Sequence, residues 1–153
     1  MKLAEALAER ADVQTRLQEL QQRLASTALV QEGDAAPEDP AQLLAESERL
    51  HERLERLVRA INRTNAATAF DERRTITDAI AARDAAARRH RFLNAIAEAA
   101  SPSVDRYSRS EIRYVPTVSV AQLRAQADEA ARSFRELDTR LQGLNWTSEL
   151  LEE

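Results

Sequence analysis

Residues 119–144 read SVAQLRAQADEAARSFRELDTRLQGL. Apolar or small side chains recur in this stretch with alternating steps of four and three residues. They are Leu123, Ala127, Ala130, Phe134, Leu137, Leu141 and Leu144. A 4/3 repeat places such residues on one face of an α-helix, as in a coiled coil, and Ser119 with Gln122 has the pattern of a capping box. The stretch therefore predicts a long amphipathic helix over residues 119–143.

Two stretches in the first half of the chain carry the same spacing. In residues 2–28 the clearest repeat is Leu17, Leu20 and Leu24. Residues 40–62 begin with a proline directly after Asp39, a combination that starts helices, and continue with a leucine repeat. Because the segment between them contains glycine, proline and several acids, we expect a loop there and an antiparallel pairing of the two helices.

The remaining regular segment, residues 77–100, is rich in alanine, and small side chains allow close helix packing. Residues 105–118 alternate Tyr, Val and Ile with polar residues, so they predict a short extended or β-hairpin arm, which Pro116 confines to an edge. These elements predict an all-α protein of long, antiparallel, coiled-coil-like helices, with residues 1–153 as a single helical domain. With only 4% aromatic residues to fill a core, we expect it to be oligomeric.

Composition excludes several classes of protein. The net charge of −4 gives no general attraction to nucleic acid, so we expect no nucleic-acid partner. The absence of cysteine rules out disulfides and thiolate metal sites. The charged start has no signal-peptide core, and no apolar run is long enough for a membrane span. The expected location is therefore the cytoplasm.

Catalytic and metal-binding signals are weak. Glu48 and His51 form an E-x-x-H pair, which supplies two ligands in di-iron bundles, but the motif occurs once and such a site needs two. There is no second histidine at zincin spacing, and no phosphate loop or nucleophile elbow. We expect no catalytic residues, no metal and no cofactor, and hence no enzyme.

Two polar clusters are the candidate ligand-binding residues. The first contains Asn62, Arg63 and Asn65, and the second contains Tyr107 and Arg109. Amides, guanidiniums and a phenol can recognise a small polar ligand or anion. The same groups can instead cap helices and form hydrogen bonds at a subunit interface, and the sequence leaves both interpretations open.

Arginine is concentrated in residues 73–91, which hold six arginines against two aspartates, while residues 32–55 hold eight acids. These segments can pair with each other, within one chain or between subunits, or the basic segment can bind an anion. A small anion is therefore a second expected partner besides a copy of the chain itself.

Five segments together resemble the septicolysin-like family of small bacterial helical proteins of uncharacterised function. They are MKLAEAL at residues 1–7, ALVQEG at 28–33, INRTN at 61–65, DRYSRSEI at 105–112 and LNWT at 144–147. The resemblance covers essentially the whole chain. It implies a helical protein that assembles as a homo-oligomer, with a hexamer as the expected form. The family label suggests membrane lysis, but the sequence contains no segment that could become membrane-facing.

The leading hypothesis is a cytoplasmic homo-oligomeric interaction or scaffold protein. The expected oligomer seam consists of Leu17, Leu20, Leu24, Leu123, Phe134, Leu137, Leu141 and Trp146. The alternative is a protein that binds a small polar ligand or anion through the two polar clusters, including across a subunit boundary.

Overall fold

A computed structural model describes residues 1–101 and 113–152 of the chain. It contains four α-helices, α1 (Leu3–Thr27), α2 (Pro40–Ala67), α3 (Ile76–Ala99) and α4 (Val120–Thr147). The described residues contain no strand, only isolated bridge residues such as the pair Lys2 and Glu149, so the all-α prediction is confirmed. The predicted arm is irregular at residues 113–118, and its residues 105–112 lie outside the described part.

The chain divides into two compact units. Unit 1 contains residues 1–69 and 142–153, and unit 2 contains residues 70–141. The boundary near the end of the chain falls inside α4. Each unit therefore has its own set of buried side chains.

In unit 1, α1 and α2 form the antiparallel hairpin that the leucine repeats predict. Glu9 near the start of α1 pairs with Arg53, and Arg23 near its end pairs with Glu38, just before α2. Residues on the facing sides are buried. They are Leu3, Ala6, Val13 and Leu20 of α1 and Leu43, Leu57, Ile61 and Thr64 of α2. The connecting loop turns at Gly33, whose φ of 92° suits a residue without Cβ.

Helix α2 continues to Ala67, beyond the predicted end near residue 62. The Asn-Arg-Thr-Asn run remains helical, and Thr64 within it is fully buried, with its hydroxyl donating to the Ala60 carbonyl one turn earlier, at 2.8 Å. The same hydroxyl accepts a 2.9 Å bond from the backbone N–H of Leu151. A contact with a residue far along the chain thus overrides the weak local helix preference.

In unit 2, α3 and the first part of α4 run antiparallel. His90 Nδ1 donates to the Ala127 carbonyl at 2.9 Å, and its Nε2 accepts from the Asn94 amide at 3.1 Å. Arg83 bonds Asp138 at 3.3 Å. The core between the two helices includes several alanines, which agrees with the expected close approach. They are Ala79, Ala97, Ala127 and Ala130.

The turn that leads into α3 is built around Phe70. Its ring is 3% exposed and lies under two guanidiniums, those of Arg74 at 5.1 Å and Arg140 at 4.5 Å from the ring centre. Asp71 accepts hydrogen bonds from the Arg74 side chain at 2.8 Å and from the backbone N–H groups of Arg73 and Arg74. Thr75 and Asp78 then form a reciprocal capping box at the start of α3.

The pKa of Asp71 is lowered from 3.8 to about 2, mainly by the hydrogen bond from the Arg74 side chain and further by the two backbone hydrogen bonds. Because the pKa in the folded state is below that in the unfolded state, the carboxylate stabilises the fold above about pH 4, and this contribution disappears as pH falls through 2. We expect Asp71→Asn to be less stable than wild type at pH 7, with a difference that shrinks towards pH 2. Urea denaturation at a series of pH values measures this, and a difference that is constant with pH would contradict it.

Candidate functional site

The first predicted polar cluster lies on the last turns of α2. Asn62 and Arg63 are exposed there, and Asn65 is half-buried. Arg63 is the member that lines a cavity on the surface of unit 1. Tyr107 and Arg109, the second cluster, lie outside the described residues.

The cavity has a volume of about 180 Å³. It lies between one face of α2 and the segment that follows α4, and we call it the arginine cavity. Its lining residues are Arg53, Arg56, Leu57, Arg59, Ala60, Arg63, Leu150 and Glu152. Four arginines, three apolar residues and one glutamate thus line the cavity.

One wall of the arginine cavity is fixed by an ion pair. Arg53 donates two parallel hydrogen bonds to the Glu9 carboxylate, at 2.6 and 2.7 Å. These bonds lower the pKa of Glu9 and raise the pKa of Arg53. The charge of Glu152 also raises the pKa of Arg53. A two-bond pair of this kind fixes the guanidinium plane, so Arg53 is a fixed part of the wall.

The other wall is the segment after α4. The backbone N–H of Leu150 donates to the Met1 carbonyl at 2.8 Å, and that of Leu151 donates to Thr64 Oγ1 at 2.9 Å. The Leu150 side chain is 8% exposed. These contacts hold Glu152 beside Arg53, at the rim of the arginine cavity.

A second surface lies on the side of α3 that faces away from its buried residues. Six positions spaced by four and three residues form it, and all are exposed. They are Ala81, Ala85, Arg88, Phe92, Ala95 and Ala99. Phe92 is 67% exposed, and a large apolar side chain on an exposed face is typical of an interaction surface. We call these six residues the α3 outer face.

Comparison with known proteins places the chain in a family. A model of a family of unknown function, DUF6847, matches residues 10–150. The chain belongs to the DUF6847 family. A search of curated proteins finds no match.

A solved structure shares the DUF6847 chain's fold throughout. It is the crystal structure of a functionally unknown conserved protein from Corynebacterium diphtheriae, 46% identical, with a TM-score of 0.94. The match covers 99% of each chain. The helical architecture described above is therefore the one found in an experimentally solved relative.

Most of the predicted oligomer seam lies in or beside the core of this DUF6847 chain. Leu20 and Leu141 are almost fully buried within it. Five others are half-buried, namely Leu17, Leu24, Leu123, Phe134 and Leu137. Burial inside one chain accounts for the spacing at Leu20 and Leu141, and the role of the half-buried members in a seam stays a prediction. Trp146 is different, because 65% of it is exposed.

The two histidines occupy structural positions. His51 is exposed, and its Nδ1 bonds the Ser47 carbonyl of its own helix, whereas His90 links α3 to α4. In the part of the chain that the structure describes, no three His, Asp or Glu side chains form a metal-binding group. No helix in that part has an apolar run long enough to cross a bilayer.

The arginine cavity and the α3 outer face were only partly predictable from the sequence. Arg63 was predicted because it lies in a polar cluster, whereas Arg53 and Arg56 were not, although the spacing of the three residues places them near one face of a helix. The α3 outer face has the 4/3 spacing of a seam, yet five of its six residues are common on solvent-facing helices. Only the exposure of Phe92 distinguishes it.

Proposed function

We propose that this protein is a homo-oligomeric interaction protein that pairs through the α3 outer face. The observation that supports the proposal is the exposed 4/3 repeat on α3, with Phe92 at its centre. An exposed heptad face of this kind is a pattern used for helix pairing. Leu20 and Leu141 of the leucine repeats are buried within the chain, whereas Phe92 is exposed, so we assign this face to a partner.

The α3 outer face is complementary to itself when two copies run antiparallel. With a two-fold axis at residue 90, midway between Arg88 and Phe92, every residue of the repeat meets another member of the repeat. Ala81 meets Ala99 of the second copy, and Ala85 meets Ala95. A two-fold interface requires this reciprocity, in which residue i contacts j and j contacts i.

The central layers of such a pair combine Arg88 of each copy with Phe92 of the other. A guanidinium over an aromatic ring is a favourable cation–π contact, and the symmetry gives two of them. The alanine layers on either side allow the helix axes to approach to about 8 Å. The one charged residue of the face therefore has a favourable partner in the pair.

The pair is the smallest assembly that this surface supports. The hexamer implied by the resemblance to septicolysin-like proteins would need a further interface, and the exposed Trp146 is a candidate for it. That family resemblance, the hexamer and the cytoplasmic location stay predictions.

Solution mass tests the proposal. We expect light scattering and sedimentation at several concentrations to give at least twice the mass of one chain for wild type. Ala95→Glu places a charged, larger side chain opposite Ala85 of the second copy and should yield a monomer with unchanged helix content.

The matched control is Ala125→Glu, which makes the same substitution at an exposed position of α4 and should leave the mass unchanged. A monomeric wild type at all concentrations would refute self-association. If Ala95→Glu kept the wild-type mass, the assembly would use a surface other than the α3 outer face.

A further inference from the structure

The arginine cavity has more positive charge than its surroundings neutralise. Arg53 is paired with Glu9, and Arg59 lies 3.8 Å from Glu55 in a solvent-exposed pair that contributes little. Within residues 1–101 and 113–152, Arg56 and Arg63 form no ion pair. The cavity thus presents at least two guanidiniums whose charge is available to a ligand.

The floor of the cavity is apolar. Leu57 and Leu150 are 2% and 8% exposed, so they present only their edges to the cavity. The half-buried Ala60 and the carbon chains of the arginines supply the rest of the apolar lining. A ligand that consisted only of an anionic group would use the guanidiniums but leave this apolar surface in water. A ligand with an anionic head and an apolar or aromatic body would cover both.

The arginines are arranged along α2 and not at one point. Arg53 and Arg63 are ten residues apart, so the row is about 15 Å long at a rise of 1.5 Å per residue. Guanidiniums bind phosphate through two parallel N–H···O bonds, and a doubly charged phosphate accepts such bonds on several oxygens. A singly charged carboxylate offers two oxygens and half the charge.

We propose that the arginine cavity binds a small phosphate ester, with the phosphate on Arg56 and Arg63 and the apolar group against Ala60 and the exposed edge of Leu150. Arg53, held by Glu9, forms the fixed end of the site. The Glu152 carboxylate at the rim repels the phosphate and limits the affinity. The site is independent of the self-association proposed above, since it uses no residue of the α3 outer face.

Calorimetric titration with phenyl phosphate, inorganic phosphate and benzoate tests the site on the full chain. We expect phenyl phosphate to bind most tightly, since it alone carries both the dianion and the apolar ring. Binding should weaken as sodium chloride increases, because salt screens exposed charges. Benzoate that bound as tightly as phenyl phosphate would overturn the preference for phosphate.

Three variants locate the binding. Arg56→Gln and Arg63→Gln should each weaken phenyl phosphate binding by about tenfold, as expected from the loss of charge-assisted hydrogen bonds. Glu152→Gln should strengthen it, because a repelling charge is removed. All three positions are exposed, so circular dichroism should show the same fold as wild type.

The control is Arg49→Gln, which removes an exposed arginine from the same helix outside the cavity and should leave binding unchanged. An equal loss with Arg49→Gln would show unspecific attraction to a basic helix and refute the site. Failure of wild type to bind phenyl phosphate at millimolar concentration and low salt would refute it as well.

Discussion

Replacement of Leu57 by alanine is expected to lower the free energy of unfolding by about 3 kcal/mol, within the usual range of 2–5 kcal/mol for a buried leucine. Leu57 is 2% exposed and lies in the middle of α2, beside the buried Ile61. The loss combines the transfer energy of the deleted carbons with the cavity left behind. Urea denaturation followed by circular dichroism measures it.

Leu44→Ala is the matched control. It makes the same substitution in the same helix, but Leu44 is 56% exposed, so its cost should stay below about 0.5 kcal/mol. Equal costs at both positions would mean that α2 does not bury the face assigned to it. Because both variants replace leucine by alanine within α2, the difference between their unfolding free energies contains no contribution from helix propensity.

Hydrophobic spacing predicted the helices well because the apolar residues that recur along the sequence are the side chains that each helix buries. Leu20 of α1 and Leu141 of α4, members of the repeats, are almost fully buried. The ends of α2 and α4 were less predictable. Helix α4 passes through Gly143 to Thr147, and α2 reaches Ala67 through the bond between Thr64 and Leu151. Such contacts between distant parts of the chain leave no local signal.

The candidate sites were predictable only in part. The sequence pointed to Arg63, because that residue lies in a polar cluster, but the cavity also needs Leu150 and Glu152 from the other end of the chain. A 4/3 repeat, moreover, gives the same pattern whether its partner is inside or outside the chain. Burial separates the two cases, since Leu141 is 1% exposed and Phe92 67%.

Replacement of Ala127 by leucine is the second prediction with a large effect. Ala127 is fully buried, and its carbonyl accepts the His90 hydrogen bond at 2.9 Å, so α3 passes close to this position. A leucine there adds three carbons to a closely packed contact. We expect a loss of about 1–3 kcal/mol from overpacking, even though leucine and alanine are both good helix formers.

The control is Ala125→Leu, two residues away on α4 and exposed, which should change the free energy of unfolding by less than about 0.5 kcal/mol. A second measurement separates local strain from general loss of stability. If the leucine forces the helices apart, the His90 bond lengthens and the Nδ1 proton exchanges faster with water in nuclear magnetic resonance spectra. An Ala127→Leu variant as stable as wild type, with unchanged proton exchange, would show that α3 and α4 leave room at this point, and that alanine there is not required for their close approach.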